Sequence, residues 1–230
     1  MTLDTVVFGN TTILEIFVKL IIIFLVTPVH EYAHAFAAHK LGDDTAAYQG
    51  RLTLNPIAHI DIIGAICIFL CGFGWAKPVP VNPLKFDKKH TIRGGMALTA
   101  LAGPLSNLIV AYIGIVGFRF VTYFANPESE IAYYLSIMFY YFSSLNVGLA
   151  IFNFIPIPPL DGSKILGAFL PAKFDHWLAR NERVISIVFM VILVTGILSF
   201  PIGIISNFVM IGLNYLAMWV DLIAMAVGVI

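Results

Sequence analysis

Residues 60–76 read IDIIGAICIFLCGFGWA, and the fold turns on whether this run crosses a bilayer or folds back on itself. It is apolar, yet it falls short of the roughly 20 residues that a membrane-spanning helix needs. Gly64, Gly72 and Gly74 interrupt it and favour a re-entrant hairpin. Five longer apolar runs surround it, at about 11–38, 95–124, 131–155, 183–200 and 202–228. The last two are divided by SFPIG (199–203), where Pro201 and Gly203 favour a tight turn. The 230-residue chain is 60% hydrophobic and only 11% charged, with a mean hydropathy of +0.93. Soluble domains average about 45–50% apolar and about 25% charged residues. The expected architecture is therefore an all-α polytopic membrane protein. It has about five to six transmembrane helices, with the re-entrant segment after the first. One membrane-embedded domain is expected over 1–230, with a core at about 11–170 and accessory helices at about 183–228.

Charge fixes the expected orientation. Cytoplasmic loops of membrane proteins carry an excess of Lys and Arg. If 60–76 returns to its own side, residues 40–94 form one cytoplasmic region. That region holds Lys40, Arg51, Lys77, Lys85, Lys88, Lys89 and Arg93. The loop 157–183 falls on the same side and adds Lys164, Lys173, Arg180 and Arg183. Of the 13 basic residues only Lys19 and Arg119, both inside helices, are left over. If 60–76 crossed, the basic loops would be split between the two faces. The N-terminus is thus expected outside. Its first ten residues, MTLDTVVFGN, lack the basic start of a secretory signal, so the first apolar run is read as a retained helix. With 13 acidic residues the net charge is zero. There is no basic tail to suggest a nucleic-acid partner. Cys67 and Cys71 sit four apart in an apolar run and read as small buried hydrophobes rather than a disulfide or a zinc site.

The first long helix ends in TPVHEYAHAFAAHK (27–40), which places His30-Glu31-Tyr32-Ala33-His34 in or beside the bilayer. This is H-E-x-x-H. Residues four apart share one helix face, so both imidazoles can bind one Zn²⁺ while Glu31 stands beside it. Neutral imidazoles hold zinc and leave positions open, and a nearby carboxylate can take a proton from a zinc-activated water. The pattern should arise in about 0.3% of shuffled versions of this chain, so alone it is only moderately specific. Its location adds weight, since ionisable groups in membrane helices are costly and mark function. The bland alternative is a helix-end cluster reaching to the lipid headgroups.

A third ligand is required. Candidates are Asp61, Asp87, Asp161, Asp175 and the remaining histidines. NFIPIPPLDG (153–162) stands out, because three prolines break a helix where Asp161 emerges. Broken backbone at membrane depth is tolerated only where it is buried in protein or lines a cavity. With 60–76 re-entrant, the helices 11–38 and 131–155 both run from outside to inside, and their ends carry His34 and Asp161 to one face. With 60–76 crossing, those ends would lie on opposite faces. The alternative role for Asp161 is a helix cap after the proline turn.

H-E-x-x-H (30–34), GPLSN (103–107) and N-x-x-P-x-P-x-x-D-G (153–162), in this order, resemble the site-2 protease family of intramembrane zinc metalloproteases, peptidase family M50. The likeness covers roughly residues 20–170. It implies one Zn²⁺ per chain held by His30, His34 and Asp161, with Glu31 as catalytic acid and base. It also implies that Asn153 holds the substrate or the oxyanion, and that the chain is a compact form without a PDZ or CBS domain.

Asn153 also has a physical case, since its NH₂ can donate to a developing oxyanion; the alternative is capping of broken backbone. The small residues of AGPLSN suit close helix packing, with Asn107 a candidate polar neighbour of the centre. GWAKPVPVNP (74–83) has prolines at 78, 80 and 83, which disfavour helix and fit an extended edge. Lys77, Pro78, Val79, Pro80 and Val81 are therefore candidates for pairing with an unwound substrate by β-augmentation; the alternative is an interfacial loop anchored by Trp75. His59 and Asp61 are read as caps that orient the re-entrant run, with an outer ring around a metal as the less favoured role. His39 is poorly aimed for the same ion as His34, and His90 and His176 lie in basic loops.

The expected activity is hydrolysis of a peptide bond in a membrane-spanning protein, near the cytoplasmic face of the cell membrane. Two rivals are a metal transporter, and an inactive relative that binds membrane proteins. The first would need a polar route across the bilayer, which Lys19 and Arg119 alone do not supply. The second has no need of Glu31.

Overall fold

The computed structural model describes residues 17, 20–71 and 74–229. Most of the N-terminal run, and Gly72 with Phe73 in the glycine-rich turn, lie outside the described residues. Among the described residues the chain is all helical, with no strand. A π-turn at Ile22–Val26 leads into α1 (Thr27–Lys40), and its Ile22 carbonyl accepts the Thr27 hydroxyl at 2.6 Å. Pro28 follows in the first turn of α1, where a missing amide hydrogen costs nothing. A short α2 (Thr45–Tyr48) precedes α3 (Ile62–Cys71).

The run 60–76 folds back. α3 rises only about 15 Å, half the hydrocarbon thickness of a bilayer. Its two ends then meet, because the Lys77 amide donates to the His59 carbonyl at 2.9 Å. Gly64 allows this return: a Cβ there would lie 3.0 Å from the Trp75 nitrogen and closer still to its carbonyl. Asp61 starts α3 by accepting the Gly64 amide at 2.8 Å. His59 is buried and bonds the Thr53 carbonyl through Nε2 at 2.8 Å. Both residues therefore orient this segment, as their spacing around its start predicts.

α4 (Ile92–Phe124) and α5 (Glu130–Phe154) form the central pair. Each has a side-chain cap, Thr91 accepting the Gly94 amide and Ser129 the Ala132 amide. The core between α4, α5 and the C-terminal helices gathers Ala111, Val147 and Ile151 with Leu108, Ile202 and Val209. α5 ends at the proline run, and α6 (Asp161–Gly167) restarts the helix at once. α7 (Ala172–Val194), α8 (Ser199–Leu216) and α9 (Trp219–Ala226) complete the chain.

Among the described residues three helical stretches are long and apolar enough to cross a membrane: Ile92–Phe124, Glu130–Phe154 and Ser199–Ala226. The expected span at 183–200 is corrected. The break between the last two helices falls at 195–198, not at SFPIG. Gly196 supplies it, with φ of +72° closing α7, a conformation open to glycine. Pro201 instead sits within the first turn of α8, where helices accept proline. The apolar part of α7 therefore stops at Val194, and its first half carries Lys173, Arg180, Glu182 and Arg183.

Candidate metal centre

Two elements deliver three ligand atoms to one point. α1 presents His30 and His34 one turn apart, and the helix restart after the proline run presents Asp161 as the first residue of α6. All three side chains are buried. The two Nε2 atoms are 3.0 Å apart, and Asp161 Oδ2 lies 3.2 Å from His30 Nε2 and 3.1 Å from His34 Nε2. Among the described residues this is the one group of three or more His, Cys, Asp or Glu ligand atoms gathered closely enough to hold an ion.

The hydrogen-bond chemistry tests whether a cation fits. His34 Nδ1 lies 2.7 Å from the Thr99 carbonyl, which can only accept, so Nδ1 carries the proton. In a neutral ring, His34 Nε2 is then a bare lone pair facing the Asp161 carboxylate. Two electron-rich atoms buried 3.1 Å apart repel unless a cation lies between them. A tetrahedral zinc with ligand bonds of about 2.0–2.1 Å spaces its ligands about 3.3 Å apart. The observed spacings of 3.0–3.2 Å fit that donor set, and two imidazoles with one carboxylate are zinc-type ligands.

α4 forms the wall behind the histidines. Thr99, Gly103 and Asn107 fall four apart on one face, and all are buried. Gly103 makes room for the rings: a Cβ there would come within 2.6 Å of His30 Cε1 and nearer to His34. The Asn107 amide lies 3.2 Å from His30 Nδ1. The expectation that GPLSN packs tightly and brings Asn107 to the centre matches this arrangement.

Glu31 lines the same cavity as the ligands and accepts the Val79 amide through Oε2 at 3.1 Å. That bond ties α1 to the proline loop. The loop is neither helical nor paired in a sheet through residues 74–82, and it is pinned at both ends. Lys77 is held by the His59 carbonyl and, through its own carbonyl, by the buried Arg51 guanidinium. Asn82 is held by the buried Asp43 carboxylate at 2.6 Å. Asp43 and the Thr99 carbonyl had no signal in the sequence, since one is an ordinary loop acid and the other is backbone. Asn153 lies in the last turn of α5 and donates its NH₂ to the Leu149 carbonyl at 3.0 Å. Its amide thus serves its own helix here, although the residue lines the same cavity as the ligands.

That cavity is about 600 Å³ and holds His30, Glu31, His34 and Asp161. Much of the rest of its lining is apolar, including Ile22, Ile23, Phe152 and Phe189. His39 turns elsewhere and pairs with Asp44, and His90 and His176 are exposed. Of the other candidate third ligands, Asp61 is spent on α3 and Asp87 is exposed beside Gly42. The side chain of Asp175 lies outside what the structure describes.

A helical fold with membrane-length spans, and an H-E-x-x-H helix met by a distant aspartate, define a metallopeptidase-type centre. Sequence comparison agrees. The model of Peptidase family M50 matches residues 121–198, a stretch that includes Asn153 and Asp161. The protein named "Putative zinc metalloprotease YwhC" in Bacillus subtilis (strain 168) is 44% identical over 175 residues, covering 75% of this chain and 78% of that one. "Putative zinc metalloprotease MJ0611" of Methanocaldococcus jannaschii is 30% identical over 162 residues, 69% of this chain and 74% of its own. "Putative zinc metalloprotease Rip2" of Mycolicibacterium smegmatis is 28% identical over 176 residues, 74% of this chain and 64% of its own. No solved structure matches. The chain belongs to peptidase family M50.

Proposed function

We propose that this peptidase is an intramembrane zinc endopeptidase that cleaves membrane-spanning proteins near the cytoplasmic face of the cell membrane. The observation that carries the reading is the convergence of His30, His34 and Asp161 beside Glu31, in a cavity whose lining is largely apolar. A soluble substrate would need no such lining; a helix leaving lipid would. His30, His34 and Asp161 would hold one zinc, which supplies Lewis acidity toward the scissile carbonyl and a water of lowered pKa. Glu31 accepts the proton of the attacking water and passes it to the leaving amine. It must first leave the Val79 amide, to which it is bonded. Asn153, once turned from the Leu149 carbonyl, has an NH₂ to offer the oxyanion.

Residues 77–81 are the proposed substrate edge. Alternate residues of an extended chain point their amides to opposite sides. Lys77, Val79 and Val81 carry amide hydrogens, whereas Pro78 and Pro80 carry none. The Lys77 amide is held by the His59 carbonyl, so the donors to an unwound substrate would be Val81 and, once Glu31 leaves it, Val79. The meeting of residues 59 and 77 supports a re-entrant 60–76, and with it the N-terminus outside and the basic loops inside. Three described stretches have the length and composition of spans, and the apolar run 11–38 read from the sequence is counted as a fourth in this reading. The chain is treated as one catalytic unit, with α7–α9 accessory to it.

The test is Glu31→Gln in the full chain. It should retain about one zinc and lose cleavage of membrane substrates, read by comparing membrane-protein fragments in cells carrying the native and variant chains. Unchanged fragments would refute the assignment.

A further inference from the structure

Both imidazoles must direct a lone pair, not a proton, at the metal, and the fold settles this for only one of them by backbone. The Thr99 carbonyl takes the Nδ1 proton of His34 and frees its Nε2. No carbonyl performs that service for His30. Its Nδ1 faces the side chain of Asn107, at 3.2 Å. Asn107 is completely buried, and its Oδ1 has no hydrogen-bond partner. An unpartnered buried amide oxygen is costly, so its survival next to a metal-binding histidine asks for a use.

We propose that Asn107 is the positioning residue that commits His30 to metal binding. The two ends of a carboxamide differ little in size, so rotating the amide by half a turn exchanges them with little steric change. In that orientation Oδ1 accepts the Nδ1 proton of His30. The remaining proton-free nitrogen is Nε2, the atom that faces Asp161 and His34. In the other orientation the NH₂ donates to Nδ1, the proton moves to Nε2, and His30 cannot be a ligand. Asn107 thus supplies from a side chain what Thr99 supplies from the backbone, two turns earlier on the same face of α4. Outer hydrogen bonds of this kind typically carry a 10–100-fold effect on metal affinity.

This inference rests on the metal-centre reading above, and its test separates the two. Zinc affinity of the detergent-solubilised full chain is measured by competition with a chromophoric chelator, with no cleavage assay involved. Asn107→Leu, close in volume and unable to accept, should weaken zinc binding about 10–100-fold. Asn107→Asp keeps an acceptor for the Nδ1 proton and should bind zinc at least as tightly as the native chain. If Asn107→Leu does not fold, Asn107→Ala replaces it with the same expectation. Native affinity in the variant without an acceptor would overturn the proposal. Equal loss in the aspartate variant would also overturn it, because packing rather than proton acceptance would then be at stake. His30→Ala is the control: if it still binds zinc like the native chain, the metal centre itself has been misplaced.

Discussion

α4 carries two polar clusters, one at each end, and they are built on opposite principles. Near its start, Thr99, Gly103 and Asn107 back a group of two imidazoles and one carboxylate with no cation of the protein among them. About 18 Å further along the axis, Arg119 is charge-matched. Its guanidinium grips both oxygens of Asp221 on α9 and reaches Asn214 on α8 at 3.3 Å. Trp219 donates to the Tyr112 hydroxyl at 2.8 Å. One cluster lacks a charge and so invites an ion. The other is charge-matched and so braces the C-terminal helices. The difference teaches how to read ionisable groups in an apolar helix: an unmatched set marks chemistry, a matched pair marks assembly.

The contrast can be broken most severely at Asp161. Asp161→Ala should lower zinc affinity at least 100-fold in the chelator competition while the solubilised fold survives, because the residue begins a short helix rather than filling the core. Gly103→Ala should be nearly as damaging to zinc content, since its methyl would displace both rings. Gly148→Ala is the matched control on α5, where a Cβ meets nothing within 4 Å, and should be neutral. At the brace the readouts should reverse. Arg119→Ala leaves Asp221 unpaired and should cost on the order of 2–3 kcal/mol. A thermal melt should register it, with zinc affinity per folded molecule unchanged. A charge-swapped Arg119→Asp with Asp221→Arg should recover part of that loss, and zinc loss in either variant would show that the two clusters are coupled. The smallest effect is expected at Val79→Pro, which removes one amide hydrogen from the loop. Cleavage should fall several-fold with zinc retained, and full activity would end the case for the 77–81 edge.

The metal centre was largely legible in the sequence because its ligands are rare residues at fixed spacing. His30 and His34 follow from helical geometry, and Asp161 from a proline break that needs a reason at membrane depth. The return of 60–76 was legible from length and glycines. What was hidden is whatever depends on backbone groups or on distant partners. The Thr99 carbonyl, the Val79 amide and the Asp43 anchor of Asn82 have no side-chain pattern to betray them. Arg119 could be seen as an oddity, but its partner, 102 residues later, could not. The break at 195–198 was misplaced because Pro201 is the louder signal. Proline only forbids a helix interior, though, and in the first turn it is compatible with the helix it was expected to stop.

The length of α4 also acts as a depth gauge. It runs 33 residues, about 50 Å, against a hydrocarbon layer of about 30 Å. Measured from the polar Asn126–Pro127–Glu128 turn at its far end, some 20 residues exhaust the hydrocarbon, and a tilt of about 20° adds roughly one more. For a helix that spans in this way, α4 regains the headgroup level near Pro104. The stripe from Thr99 to Asn107 then straddles the membrane boundary instead of lying at the bilayer centre. Water needs only a short approach from that side, and under the proposed function the scissile bond would lie in the first one or two turns of a substrate helix to leave the lipid.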